Sequence, residues 1–342
     1  MKIAIDASRA TRPQRTGTEQ YARSLIEALV RERPQVEWML FFRDDPGEWL
    51  AGLPHVTRRV LRAPRLWTYT ALAPALLREP VDAFWEPAHV LPPTVPLRGV
   101  PSLVNVHDLG YEAFPEAHPA AQRHYLRATT RYHARAASRI VTISHATKDD
   151  LVTRYGTDPD RIHVVYPGVD HDRFRPLPDP AARAAVRARY SHGRPYLLYI
   201  GTLQPRKNLT RLVRAFARVA PEVAEVQLLL AGGEGWLNDD LQREIDRLGL
   251  GERVQRLGYV ADDDLPALLA SAEALCFPSL FEGFGLPVLE AMACGTPVLT
   301  SSTSSLPEAA GDAALLVDPL DEGAIAEGMR HLLTQPALRD DL

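Results

Sequence analysis

The segment Pro278-Ser-Leu-Phe-Glu-Gly-Phe-Gly-Leu-Pro-Val-Leu-Glu-Ala-Met-Ala-Cys-Gly295 carries two carboxylates, Glu282 and Glu290, with seven residues between them. On either side stand short apolar runs, Glu273-Ala-Leu-Cys-Phe277 and Thr296-Pro-Val-Leu-Thr-Ser301, each reading as a buried strand. Pro287 suits a first helical turn and Gly295 the residue just past a helix end. The segment is therefore predicted as strand, glycine loop, short helix, strand. Glu282 falls on the loop and Glu290 in the first turn or two of the helix. Gly283 and Gly285 let the loop bend and bring backbone N–H groups close to a ligand. A helix N-terminus beside them favours an anion. Carboxylates for hydroxyls next to an anion-attracting helix start suit a ligand that carries both hydroxyls and phosphate, as a nucleotide sugar does.

Outward from that segment, the composition is that of an ordinary globular chain. It has 342 residues, 46% hydrophobic and 24% charged, which is enough for two domains with their own cores. The N-terminus, Met1-Lys-Ile-Ala-Ile-Asp-Ala7, reads straight into a strand, so no signal peptide is expected. No apolar run approaches the roughly 18 residues of a membrane span. Cys276 and Cys294 lie in apolar surroundings and read as reduced core thiols of a cytoplasmic protein; no metal site is expected. Residues 1–168 hold 22 Lys and Arg against 18 Asp and Glu, and the remainder 17 against 25, so the two halves are expected to face different partners. Nucleic acid is excluded as a partner by the absence of a strongly basic region or binding motif.

The pass along the chain gives two α/β alternations. In the first, strand 2–7 is followed by Gly17 and a helix from about Thr18, with Thr16 and Glu19 spaced as a capping box. Further strands are predicted at 36–42, 81–85, 101–108, 139–144 and 162–166. His107-Asp108 stands at a strand's carboxyl end, where open α/β sheets place ligand contacts, and Ser144 ends another strand. Residues 58–79 combine Arg58, Arg59, Arg62 and Arg65 with Trp67, Tyr69 and leucines; they read as a helix with a solvated basic face or as a membrane-surface element. Arginines at 123, 127, 131, 135 and 139 form a stripe along a helix spanning 120–138. Four prolines between Pro167 and Pro180 mark a hinge. The expected domains are 1–168, a linker 169–180, and 181–342. In the second domain, strands are predicted at 196–201, 226–231 and 253–260. Loops Gly201-Thr-Leu-Gln-Pro-Arg-Lys-Asn208 and Gly232-Gly-Glu-Gly235 fall at strand carboxyl ends, and adjacent Arg206 and Lys207 make a natural diphosphate clamp.

With these residues assembled, the chain resembles family 4 of the nucleotide-sugar-dependent glycosyltransferases. The resemblance rests on Glu282 and Glu290 as E-x7-E, Pro205-Arg-Lys-Asn208, His107-Asp108, Gly17 and Pro167-Gly-Val-Asp170. It implies the GT-B fold, two Rossmann-like doubly wound parallel-sheet domains facing each other across a cleft. It also implies a retaining, metal-independent hexosyltransferase. By it, Arg206 and Lys207 hold the diphosphate, Glu290 the ribose, and Glu282 with the amides of Phe284, Gly285 and Leu286 the donor sugar. Tyr259 and Val260 contact the base, Thr202 and Gly233 line the phosphate loops, Gly17 approaches the phosphates, His107 sits near the anomeric centre, and Ser144 is a further donor contact. The donor expected is GDP-mannose, with no cofactor, and the acceptor a glycolipid or polysaccharide of the cell envelope. The expected location is cytoplasmic, with peripheral association at an anionic inner membrane face. A GT-B epimerase acting on a UDP-sugar, or a non-catalytic nucleotide-sugar-binding protein, are the competing readings. Two departures stand out: Thr202 occupies the place where the family often has Arg, and the family's C-terminal helix crossing back to the first domain is not in the sequence, so a shortened chain is expected. Asp158-Pro-Asp160 and Asp170-His-Asp172 read as chance matches to a metal motif.

Overall fold

The computed structural model describes residues 1–11, 17–63, 65–88, 90–223, 225–233, 235 and 239–342. Thr16 of the expected capping box and Glu234 of the second glycine loop lie outside them. The chain divides into two compact units, one of Met1–Tyr111 with Pro119–Pro167, the other of Glu112–His118 with Gly168–Leu342.

The first unit is built on seven parallel strands: β1 (Lys2–Asp6), β2 (Glu37–Phe42), β3 (Val56–Val60), β4 (Ala83–Glu86), β5 (Ser102–Val106), β6 (Arg139–Thr142) and β7 (Ile162–Val164). Their spatial order is β3-β2-β1-β4-β5-β6-β7. Strands buried on both faces read as continuous apolar runs, and Trp38 to Phe42 of β2 is one, every residue buried. One side of the sheet packs Ile5, Leu40 and Phe42 against Ile26 and Val30 of the helix Gly17–Glu32. The other side gathers Phe41, Phe84, Val104 and Ile140 with Leu72 and Leu76.

One expectation about this unit is corrected. Arg58 and Arg59 do not belong to a helix; they lie on β3, the edge strand, paired in register with Leu40 and Phe41. An edge strand with charged side chains is a common protection against sheet-to-sheet pairing. The helical part of the stretch begins only at Thr68, and Trp67 is buried, its indole N–H donating to the Leu61 carbonyl.

The second unit repeats the plan with six parallel strands: β8 (Tyr196–Ile200), β9 (Gln227–Ala231), β10 (Val254–Gly258), β11 (Ala274–Phe277), β12 (Val298–Ser301) and β13 (Leu315–Val317), ordered β10-β9-β8-β11-β12-β13. All four residues of β11 are buried, and so are all four of β12. The helix Leu209–Val219 buries Leu212, Val213, Ala215, Phe216 and Val219 and turns its arginines outward. The order reverses between β8 and β11, and the carboxyl ends at such a switch point are where open α/β sheets bind ligands. The loops leaving these two strands are Gly201–Asn208 and Pro278–Gly285.

Candidate functional site

The site in the second unit is made by three loops, after β8, β9 and β11. The first two lie backbone against backbone. Leu203 N–H donates to the Gly233 carbonyl at 3.0 Å, and Gly235 N–H to the Leu203 carbonyl at 3.0 Å. Gly232 has φ +147°, and a Cβ there would run into the Gly201 carbonyl oxygen, so only glycine allows this approach. Thr202 is exposed on the first loop and Gly233 partly buried on the second.

Pro205–Lys207 form one tight helical turn, ended by Asn208 at φ +63°, a left-handed conformation that asparagine tolerates. The Asn208 amide donates to the Pro278 carbonyl at 3.0 Å and the Pro319 carbonyl at 2.6 Å, and Leu280 N–H donates to the Arg206 carbonyl at 2.8 Å. These bonds tie the Arg-Lys turn to the loop of the first carboxylate. As a result Lys207 Nζ lies 2.5 Å from Glu282 Oε1, and Arg206 Nη1 lies 3.1 Å from Glu282 Oε2 and 2.7 Å from the Phe281 carbonyl. Lys207 and Glu282 are each only 7% exposed. Burial pushes the Glu282 carboxyl up, but Lys207 and Arg206 together outweigh it and hold the group below its ordinary value. Below the ammonium, Phe277 presents its ring 5.2 Å away, and Tyr199 stacks on Phe277 at 5.8 Å. Two cations are thus fixed beside one buried carboxylate, a setting that suits a diphosphate.

The loop then enters the helix Leu286–Ala293, with Gly285 at φ +112° as its first cap and Phe284 buried beside it. Glu290 is the fifth residue of that helix and partly buried. Burial pushes its carboxyl up to about 7, with Arg173 opposing and Asp262 adding to the rise. Arg173 is held by the Asp262 carbonyl at 2.6 Å. Tyr259 and Val260 follow the end of β10; Tyr259 is exposed and its hydroxyl donates to Asp262 at 3.0 Å.

Gly17, His107 and Ser144 belong to the first unit. Gly17 opens the helix Gly17–Glu32. His107 stands just past β5, its Nε2–H donating to the Pro87 carbonyl at 2.8 Å and its ring edge-on to Tyr21 at 5.1 Å. That bond puts the proton on Nε2 and leaves Nδ1 as an acceptor. Burial lowers the His107 pKa, against the pull of the Pro87 bond, Asp108 and Glu19, so the ring is neutral. Ser144 is fully buried and caps the helix His145–Tyr155: its hydroxyl accepts from Thr147 N–H at 3.1 Å and donates to the Thr147 hydroxyl at 2.9 Å.

Of the residues expected from sequence, Arg206, Lys207 and Glu282 are thus brought into direct contact, and Thr202 and Gly233 share adjoining loops. Sequence reasoning missed Asn208 and Arg173 as bracing residues. It also missed a signal in basic-residue usage: only Lys2, Lys148 and Lys207 among the 39 basic residues are lysine. A chain that otherwise uses arginine keeps lysine at the one buried position facing Glu282. Among the described residues no group of three or more His, Cys, Asp or Glu is placed to hold a metal ion, and no helix is long and apolar enough to cross a membrane.

Comparison with known proteins gives the family. Residues 15–173 match the family described as Glycosyltransferase Family 4, and residues 185–342 the family described as Glycosyl transferases group 1. The O-antigen chain mannosyltransferase B of Escherichia coli is 36% identical over 242 residues, covering 70% of this chain and 62% of that protein. The MMP alpha-(1->4)-mannosyltransferase of Mycolicibacterium hassiacum is 35% identical over 208 residues, covering 59% and 47%. The matches thus span about half to three-fifths of these relatives' own lengths. Among solved structures, sucrose-phosphate synthase from Thermosynechococcus elongatus aligns with a TM-score of 0.77 at 24% identity, over 99% of this chain and 91% of that one. An Anabaena protein in complex with UDP and glucose aligns with a TM-score of 0.75 at 22% identity, over 99% and 91%. These two likenesses concern the fold, which is GT-B.

Proposed function

Because this chain belongs to the family 4 glycosyltransferases of GT-B fold, we propose that it moves a hexose from a nucleotide diphosphate sugar to a glycolipid or polysaccharide acceptor. The transfer retains anomeric configuration and needs no metal. The donor favoured is GDP-mannose, a choice supported by the mannosyltransferases among its relatives. The observation that carries the reading is the pairing of Arg206 and Lys207 with the buried Glu282 carboxylate on the loops after β8 and β11 of the second unit.

In this reading the diphosphate replaces part of the Glu282 charge beside Arg206 and Lys207. As the glycosidic bond lengthens, negative charge grows on the departing phosphate, and two cations already fixed in place stabilise it without reorganising. Glu282 then accepts hydrogen bonds from hydroxyls of the donor sugar, and Phe284, Gly285 and Leu286 offer their amides. Glu290 takes the ribose hydroxyls, and Tyr259 and Val260 meet the base. By the family resemblance, Gly17 is assigned to phosphate and His107 to the sugar. Ser144 is assigned by the same resemblance as a further donor contact.

Peripheral association with an anionic membrane is part of the proposal. It is supported by exposed Leu66 and Tyr69 next to exposed Arg62 and Arg65, and by exposed Leu77 and Leu97 on the two helical segments that follow. The deciding experiment is a screen of GDP-, UDP- and dTDP-sugars with cell-envelope lipid extract, read by product mass spectrometry. The expected result is a hexose added from GDP-mannose. Absence of both transfer and donor hydrolysis with every sugar overturns the enzymatic reading, and a preference for another base overturns the donor.

A further inference from the structure

We propose that Ser304 is a positioning residue for the donor-sugar subsite, holding the backbone of Glu282 so that its carboxylate faces Lys207 and Arg206. The inference rests on the donor-site reading given above. Ser304 lies in the turn after β12 with φ +59°, a conformation that non-glycine residues seldom adopt. Its hydroxyl oxygen accepts the Glu282 N–H at 3.1 Å and lies 2.6 Å from the Glu282 carbonyl, to which its O–H donates. One hydroxyl therefore bridges both polar backbone groups of Glu282 from 22 residues away.

The neighbours of Ser304 complete the strap. Ser305 is fully buried, and its hydroxyl reaches the Glu282 carbonyl at 2.8 Å and the Phe284 carbonyl at 3.1 Å. Leu306 lies flat against the loop: a Cβ on Gly285 would come 2.7 Å from its Cδ2. A loop with glycines at 283 and 285 has little order of its own, so its direction must come from outside. Glycine at 304 would adopt the same φ without strain and make neither bond. Backbone strain kept at a functional site in exchange for a specific hydroxyl is the signature of such a role.

The test uses two substitutions whose effects on stability and turnover run in opposite directions. Ser304→Gly loses the hydroxyl and relieves the φ. It is expected to melt within a few degrees of wild type, the relieved φ offsetting part of the weakened ion pair, and to bind nucleoside diphosphate within about twofold. Its kcat for releasing nucleoside diphosphate from the donor is expected to fall about tenfold. Ser304→Thr keeps the hydroxyl on a β-branched residue at positive φ; it is expected to melt lower and keep its kcat within about threefold. Wild-type kcat in Ser304→Gly overturns the proposal. So does a joint loss of melting temperature, product binding and kcat, which marks a purely structural role, or an equal loss of kcat in Ser304→Thr. A readout independent of turnover follows the Glu282 carboxyl by carbon NMR: its titration is expected to move up in Ser304→Gly as it leaves Lys207, and an unmoved titration overturns the proposal. If the wild-type protein turns over no donor at all, the functional reading fails, and the titration alone still decides the role of Ser304.

Discussion

Lys207 Nζ approaches Glu282 Oε1 at 2.5 Å although the two residues are 75 apart in the chain, and both are buried. The contact joins the turn after β8 to the loop after β11 across the point where the strand order reverses.

Removing Lys207 therefore has two separable effects. Lys207→Ala leaves the Glu282 carboxylate buried with Arg206 still beside it, so the cost is expected to stay below the about 3–5 kcal/mol of a fully uncompensated buried charge. Denaturant unfolding is expected to show that loss. Turnover is expected to drop about a hundredfold or more, the usual cost of deleting a fixed charge that faces a developing one. Lys207→Arg is expected to restore neither, because a planar guanidinium does not fit the compact site between Glu282 and the Phe277 face. A Lys207→Arg variant with wild-type kcat is the outcome that contradicts this account.

Much of this arrangement is legible in the residues. Apolar runs ending in glycine marked β8 and β9, an apolar run stopped by Pro278 marked β11, and E-x7-E with Pro-Arg-Lys-Asn marked the loops after β8 and β11. The edge strand β3 was not legible, because Val56-Thr-Arg-Arg-Val60 is largely exposed and carries no alternation to separate it from a basic helix face. The direct ion pairing of Glu282 with Lys207 and Arg206 was hidden as well: sequence assigned the carboxylate to the sugar and the cations to phosphate, and only the packing of two distant loops joins them. Ser304 was invisible because nothing in a serine announces positive φ or a bond 22 residues away.

The adjacent glycines 232 and 233 are expected to behave differently. A Cβ at 232 strikes the Gly201 backbone, which no rotamer change relieves, whereas a Cβ at 233 meets nothing within 4 Å. Gly232→Ala is expected to lower stability by at least about 2 kcal/mol, measured by thermal or chemical unfolding. Gly233→Ala is expected to fold like wild type and to weaken donor binding severalfold, because the open space beside it is where the phosphates are proposed to pass. Equal stability of the two variants contradicts the steric assignment, and unchanged donor affinity in Gly233→Ala removes that residue from the site.

Vesicle flotation addresses the surface near β3. Arg62, Arg65, Leu66 and Tyr69 are exposed, while Trp67 between them is buried, so within this stretch the apolar contribution comes from Leu66 and Tyr69, with Leu77 and Leu97 farther along the chain. A contact this small depends on charge, each basic residue near an anionic surface contributing about 1 kcal/mol. The protein is expected to float with anionic vesicles at low salt and to be released as salt shortens the screening length. Charge reversal at Arg62 and Arg65 is expected to abolish binding, and flotation with neutral vesicles to be absent. No binding to anionic vesicles at low salt removes the membrane from the proposal.

Donor binding is expected to depend on pH through Glu290. Burial raises its carboxyl to about 7, so near neutral pH it is partly protonated in the ligand-free protein. Ribose hydroxyls that donate to it favour the ionised form, which lowers the pKa on binding and releases a proton. Affinity for nucleoside diphosphate is therefore expected to rise with pH up to about 7 and then level off, with about a tenfold loss one unit below the midpoint. Stability runs the other way. Because the folded pKa is raised above the ordinary carboxyl value of 4.5, folding favours the protonated form, and this group's contribution is lost as pH rises from 4.5 to about 7. Calorimetry in buffers of different ionisation enthalpy measures the released proton directly, and Glu290→Gln is expected to remove both the proton release and the pH dependence while weakening binding. Proton release that persists in Glu290→Gln assigns the titration to another group and takes the ribose contact away from Glu290.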